Sequence, residues 1–342
     1  MMNSKTLFLL LSAFMLLTGV SCKRQEKAPV ESSVVITFST GEVVTRAGDG
    51  VVTDGGGIML DGSGNPDLFI AIVNYSGVVV STYPSADPDD TEVLDSSSDT
   101  QVSVRFKNIT NAGDYTVYAI ANTGGGVWGA PTDWTTYTTA AALDALTFTE
   151  LTGSDLPTVS DRMPISAKGT LSINEGMNGQ VELELLRCVA KVGFKFKNET
   201  DETLTLNDCV VILEKINPTQ GYLFPQTDDA AGTARNLNLI SSSLTIGPGV
   251  TTDLYGNHLV FPSNAPARSI GSRYFCNISF TLGGVPKSFS ELPVHDKRSQ
   301  DIPSLERNQY LQIETRINRG LEISFNFVVL DWNQKNEDII FH

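Results

Sequence analysis

The chain is poor in the residues that most chemistry needs. Its 342 residues include three histidines and four cysteines. His258, His295 and His342 stand far apart and no Cys-x-x-Cys occurs, so no ligand set has the spacing of a zinc site. There is no Gly-x-Ser-x-Gly elbow, phosphate loop or cysteine–histidine pairing in a recognisable context. Nothing can therefore be placed in a catalytic role; no metal or cofactor is expected, and the chain does not read as an enzyme. Basic residues are scarce too: 24 Lys and Arg face 39 Asp and Glu, a net charge of −15. Five basic and three acidic side chains precede Ala47, so a chain cut after Arg46 would carry −17. That excess argues against a nucleic-acid partner and suits an extracellular surface. Beyond the first 21 residues no apolar run approaches the roughly 20 residues that span a bilayer.

Residues 1–21 carry Lys5, then LFLLLSAFMLL, then small residues ending at Ser21 before Cys22. This is the pattern of a secretory signal, and small residues directly before a cysteine suit a lipoprotein signal peptidase, with Cys22 taking the lipid. An ordinary signal with an incidental cysteine has the same outline. The stretch from Lys23 to Pro29 reads as a polar tether, so membrane attachment is expected through the lipid alone.

The organising stretch runs from Ser32 to Gly50. Val34, Ile36 and Phe38 alternate with Val35, Thr37 and Ser39, the two-residue period of a strand with one face ready to pack. Arg46 follows, with Ala47 opening a glycine-rich loop where an arginine-specific protease could reach the backbone. An arginine there is also simply a solvated residue. The sharper reading takes Val34 to Val44 as a removable strand: its loss opens a groove in a sheet, and such a groove binds another extended segment by backbone hydrogen bonds.

The rest of the chain reads as all-β. The roughly 300 residues after the signal exceed one sandwich, so two domains are expected. Residues 67–83 give two apolar strands joined at Tyr75-Ser76-Gly77; residues 101–109 alternate through Val102, Val104 and Phe106; residues 115–122 repeat the pattern. Residues 85–99, rich in acid and turn formers, read as a solvated loop without calcium-site spacing. Ala140 to Leu146, after a threonine-rich start, reads as one short helix. From Gln180 to Asn198 the apolar parity switches near Leu185-Leu186, which requires a bulge or a passage from one core to another. The domain boundary is placed there, giving 47–185 and 186–342. Further strands follow near 204–216, 256–262, 273–282, 310–317 and 321–332. Cys188, Cys209 and Cys276 allow at most one disulfide, Cys188 with Cys209 being conceivable, or three small buried side chains.

Several pieces in order resemble the fimbrillin family of Bacteroidales, the type V pilins: the start at Cys22, Thr45-Arg46-Ala47-Gly48-Asp49-Gly50, Ala121-Asn122, Arg162-Met163-Pro164-Ile165, Arg187-Cys188-Val189-Ala190-Lys191-Val192, Arg307-Asn308-Gln309-Tyr310, and the end around Asp331-Trp332 and Asp338-Ile339-Ile340-Phe341. The AGDG after the arginine is most similar to the minor-fimbria shaft type. The resemblance implies two transthyretin-like antiparallel β-sandwich domains and export as a lipoprotein to the outer membrane of a Gram-negative bacterium. It implies cutting after Arg46 by a trypsin-like or gingipain-like protease, and assembly with copies of itself or related pilins into an extracellular fimbria that supports adhesion and biofilm formation. The leaving strand would be replaced by a donor from residues 321–342 of a neighbour, with Ile323, Phe325, Phe327, Ile339 and Phe341 as its apolar side chains. Those residues also read simply as the last strands of the second domain. Arg187 and the Arg307-Asn308 pair read as structural polar groups fixing two sheets.

Other readings use the same residues. A fimbrial anchor would keep its lipidated N-terminus; a tip adhesin would need a groove and no donor. A carbohydrate-binding lipoprotein, or any protein meeting a host or bacterial surface receptor, could present Trp128, Trp134, Tyr137 and Trp332 as a platform, although aromatics in such a region also anchor a loop onto the fold.

Overall fold

The computed structural model describes residues 33–40, 58, 66–98, 101–109, 111–123, 131, 133–149, 163–226, 235–252, 255–264, 267–268, 271–272, 274–295, 302 and 304–331. Alternating apolar residues make strands almost throughout. The first part holds β1 (Val34–Thr40), β2 (Leu68–Asn74), β3 (Val79–Tyr83), β4 (Thr91–Ser98), β5 (Gln101–Phe106), β6 (Gly113–Ala121), the helix α1 (Ala140–Asp144), β7 (Thr147–Thr149), β8 (Ile165–Ile173) and β9 (Gly179–Arg187). The remainder holds β10 (Ala190–Asn198), β11 (Leu204–Asn217), β12 (Gln220–Tyr222), β13 (Arg235–Ile246), β14 (Tyr255–Val260), β15 (Ser263–Asn264), β16 (Ala267–Arg268), β17 (Gly271–Ser272), β18 (Phe275–Leu282), β19 (Val285–Pro293), β20 (Ser304–Leu305), β21 (Gln309–Ile317) and β22 (Ile323–Asp331). The described residues form an all-β sandwich fold with one short helix.

The first part forms an eight-stranded sheet in the order β3-β2-β6-β8-β9-β1-β5-β4. It bends where β8 and β9 pair only at one end, Ile165 with Arg187 and Ser166 with Leu186, so its two halves face each other. Ile70, Ile72 and Val117 meet Ile36, Phe38 and Val104 in the core between them. In the second part the sheets β14-β10-β21-β22 and β13-β11-β18-β19 face each other. Their core holds Phe194, Phe196, Leu213, Ile278 and Ile313, and Phe196 meets Phe280 edge to face at 6.1 Å. The pairs β1–β9 and β10–β21 run parallel within otherwise antiparallel ladders.

The parity break marks where the chain changes cores. Alternation holds along β9 up to Leu185 and Arg187; Cys188 and Val189 are then buried consecutively, and β10 opens the second core. A third apolar cluster occupies the junction. Phe69, Ala71, Tyr118 and Ile120, on the other face of β2 and β6, pack with Leu143, Phe148, Leu223, Phe224 and Phe261. Thr139 caps α1 by accepting from the Ala142 amide at 3.2 Å, and Leu143 is the residue the helix buries. β7 pairs with β12 across the same junction.

One sequence expectation needs correction. Residues 85–99 are not simply a loop: after a single 3-10 turn at Pro88–Asp90, β4 pairs with β5. An edge strand needs only one apolar face; Val93 packs against the core, and the rest of the strand is written in Thr, Glu, Asp and Ser around Leu94, so little in the hydrophobic pattern announces it. β13 carries no clean two-residue period, because a register shift places Leu239 and Ile240 both inside.

Arginines tie the junction together. Arg307, just before β21, donates from Nη2 to Ser166 Oγ at 2.8 Å and to the Leu186 carbonyl at 2.9 Å, and from Nε to the Arg187 carbonyl at 3.3 Å. Its Nη1 reaches the Leu223 carbonyl at 3.4 Å. Arg187 donates from Nη1 to Asn308 Oδ1 at 2.9 Å, and the Asn308 amide donates to the Val189 carbonyl at 2.9 Å. Removing Arg307 takes the guanidinium donor away from the Leu186 and Arg187 carbonyls and from Ser166 Oγ at once. Arg307→Met should therefore destabilise the protein by about 2–4 kcal/mol in urea unfolding, and Arg307→Lys, which lacks the planar fork, should recover little of it.

Candidate functional site

The site begins with the seven residues of β1. Val34, Ile36 and Phe38 have no solvent exposure and point into the first core, while Val35, Thr37 and Ser39 face outward. The strand lies inside the sheet. It runs antiparallel to β5, with Val34 opposite Phe106, Ile36 opposite Val104 and Phe38 opposite Val102. It runs parallel to β9, with the same residues opposite Gly179, Val181 and Leu183. Both its backbone edges are thus paired, and its loss would leave a slot with two walls.

The start of the slot is clipped. The Ser33 amide donates to Asn178 Oδ1 at 3.1 Å, and the Gly179 amide donates to the Ser33 carbonyl at 3.0 Å. Gly179 has a packing reason as well: a Cβ there would lie 3.0 Å from Ile173 and 3.2 Å from Leu171 and Val34. Sequence reasoning had no reason to single these two residues out; the turn-rich run from Asn174 to Gly179 was the available signal. On the outside, the hydroxyls of Thr37 and Ser103 share a hydrogen bond of 3.0 Å.

Among the described residues, every strand except β1 lies after Arg46 in the chain. The β4–β5 hairpin reaches the rest of the eight-stranded sheet through β1, since β5 pairs with β4 on one side and β1 on the other. The expected leaving strand, Val34 to Val44, coincides with β1 as far as Thr40. Cys22, Arg46, Ala47 and residues 41–44 lie outside the described residues, as do Ile339 and Phe341.

Ile323, Phe325 and Phe327 lie on β22, the edge of the sheet β14-β10-β21-β22, paired antiparallel to β21 throughout. Phe327 is buried, Ile323 and Phe325 are half-buried, and Phe325 meets Phe289 of β19 at 5.3 Å. They therefore cover the second core of their own chain and stand away from the slot in the first.

The remaining candidates have structural surroundings. Cys188, Cys209 and Cys276 are free and buried. Cys188 belongs to the junction cluster and the other two to the second core. Burial pushes the thiols of Cys209 and Cys276 up to about 12, and raises that of Cys188 despite the Arg307 guanidinium at 3.2 Å. Trp134 stacks on Phe69 with centroids 4.5 Å apart, and Tyr137 packs beside it. The covered face of Trp134 anchors its loop and is closed to a sugar. Trp128 and Trp332 lie outside the described residues.

No known family profile and no curated protein matches the sequence. Solved structures do match. A candidate cell adhesion protein from Bacteroides eggerthii DSM 20697 is 14% identical, with a TM-score of 0.53 over 88% of this chain and 96% of that one. A candidate cell adhesion protein from Parabacteroides distasonis ATCC 8503 is 12% identical, with a TM-score of 0.54 over 88% and 98%. A fimbrilin from Porphyromonas gingivalis W83 is 12% identical, with a TM-score of 0.50 over 89% and 98%. At such identities the likeness is one of fold, and it extends over most of each chain.

The two faces of β1 should respond differently to mutation. Phe38→Ala should cost about 3–5 kcal/mol in urea unfolding, because it empties a fully buried site. Thr37→Ala, which loses one outward hydrogen bond, should cost no more than about 1 kcal/mol.

Proposed function

Proceeding from that shared fold, we propose that the chain is a structural subunit of a surface fimbria, exported as a lipoprotein and assembled by strand exchange. One observation carries this reading: β1 is a central, fully packed strand whose covalent link to everything else passes through Arg46. A cut after Arg46 leaves β1 held by hydrogen bonds and packing alone. Its departure exposes the inner edges of β9 and β5 and the pockets of Val34, Ile36 and Phe38, which is the geometry that captures an extended segment.

In this reading Cys22 carries the lipid that brings the subunit to the outer membrane, an arginine-specific protease cuts between Arg46 and Ala47, and the C-terminal region 321–342 of another copy or a related subunit supplies the replacement. Residues 47–185 and 186–342 form the two domains. A groove on one domain and a donor from the other make a head-to-tail contact, and such contacts propagate as a filament unless the rotation closes a ring. Keeping β1 in place until the surface is reached protects an edge that would otherwise template aggregation. The fold likeness to a fimbrilin and to candidate adhesion proteins supports a surface role, in which the filament meets host or bacterial receptors.

Intact mass and N-terminal sequencing of protein recovered from its native cell surface should give Ala47 as the first residue; a lipid-modified Cys22 on the mature protein would make it an anchor or solitary lipoprotein instead. Arg46→Ala should yield folded, lipidated monomer without filaments under electron microscopy. Deleting residues 338–342 divides the donor region: loss of polymerisation by cleaved subunits would place the donor at the last residues, and unchanged assembly would place it within residues 321–337.

A further inference from the structure

The last inward position of β1 is badly matched to its surroundings. Thr40 is 7% exposed and lies on the same face as Val34, Ile36 and Phe38, yet its hydroxyl has no hydrogen-bond partner. Opposite it on β9 stands Leu185, a member of the apolar core. A buried hydroxyl left unpaired costs about a factor of ten in an equilibrium constant. An aliphatic side chain of the same shape would fill the position without that cost.

The outer lip of the slot selects by charge. Along β9 the residues opposite Val35, Thr37 and Ser39 are Gln180, Glu182 and Glu184, all exposed. Along β5 the corresponding residues are Arg105, Ser103 and Gln101. β1 itself carries no charge from Val34 to Thr40. A carboxylate brought opposite Glu182 or Glu184 would meet a like charge, which is unfavourable between directly paired residues.

Resting on the strand-exchange reading, we propose that the slot prefers an occupant with an apolar residue in place of Thr40 and no carboxylate opposite Glu182 or Glu184, and that the segment Ile323–Val329 of a second copy is that occupant. Ile323, Phe325, Phe327 and Val329 then take the sites of Val34, Ile36, Phe38 and Thr40. Val329 supplies the shape of threonine without the hydroxyl. Ser324, Asn326 and Val328 face Gln180, Glu182 and Glu184 without charge. Starting two residues earlier, at Leu321, also meets both conditions but puts Phe327, far larger than threonine, in the last position, where it would overpack. Starting at Glu322 or Ser324 buries polar side chains at the first inward positions. Starting at Phe325 puts Asp331 in the buried last position, and starting at Val328 sets Asp331 against Glu182. Placing Ile339 and Phe341 at the Ile36 and Phe38 sites drives Glu337 into the pocket of Val34. Among the described residues β22 is an edge strand of its own subunit with one paired neighbour; in the slot it has two. The exchange uncovers the flank of the second core beside Phe289, which the second ladder must outweigh.

The test uses the full-length protein, nicked at Arg46 with an arginine-specific protease, and synthetic peptides as competitors for release of the β1 fragment, read by native mass spectrometry. The Ile323–Val329 peptide and a β1 peptide carrying Thr40→Val should each displace the fragment about tenfold better than the β1 sequence itself. A peptide of residues 336–342 should not compete. Asn326→Glu in the donor peptide should weaken it about two- to fivefold, and Glu182→Gln in the protein should restore that loss. Equal potency of the two β1 peptides, or strongest competition by residues 336–342, overturns the proposal. In the uncut chain Thr40→Val should raise the melting temperature; no rise also overturns it. If that rise is seen while no peptide, including the β1 sequence, exchanges with the nicked strand, the strand-exchange reading fails and the assignment of a mismatched Thr40 stands.

Discussion

The first half of this molecule depends on one insertion, seven residues paired on both sides. β1 supplies three fully buried side chains to the core and also completes two ladders, parallel to β9 and antiparallel to β5. Burial of three large apolar side chains is worth roughly 1.5–3 kcal/mol each, a large share of the 5–15 kcal/mol by which folded proteins are ordinarily stable. A strand of this weight must be replaced in kind if it leaves. Its chemistry is therefore the specification for whatever takes its place.

The second half is organised to stay put. Two four-stranded sheets enclose a core of aromatic and aliphatic side chains, and the third cluster joins that unit to the back of β2 and β6. Arg307 reaches the Leu186 and Arg187 carbonyls where the chain changes cores and the Leu223 carbonyl just after β12, so one side chain bridges the two parts of the molecule. Arg187 adds a bond to Asn308 Oδ1. Under the proposed strand exchange, such a junction would hold the two parts together while the first core is open.

The alternation of Val102, Val104 and Phe106, the capped helix at Ala140 and the passage between cores after Leu185 were all legible in the sequence, because each is encoded locally by side-chain period. Val34 to Phe38 likewise declared a strand with one buried face. What its pattern did not declare was its neighbours. A strand with one side packed looks the same whether it lies at an edge or in the middle, since backbone pairing leaves no mark on side-chain polarity. Edge strand β4 escaped notice for the opposite reason: its hydrogen bonds are supplied by β5 while its side chains are mostly those of a loop. Ile323, Phe325 and Phe327 announced an apolar face, and the fold supplied its present use, covering the second core. The misfit of Thr40 lay beyond the sequence altogether, because it depends on Leu185 standing opposite.

The position of β1 between two neighbours also governs how it can depart. An edge strand peels, its rungs parting one after another at low force. A strand walled on both sides has no such path: it must slide along its own axis, straining both ladders together, or wait for the β4–β5 hairpin to swing outward on the side chains that are its remaining attachment to the sheet. Either route is rare on the timescale of ordinary fluctuations. The residence time of the strand, more than its equilibrium affinity, would then set how long a nicked subunit persists, and an occupant once seated would be retained by the same slow exit.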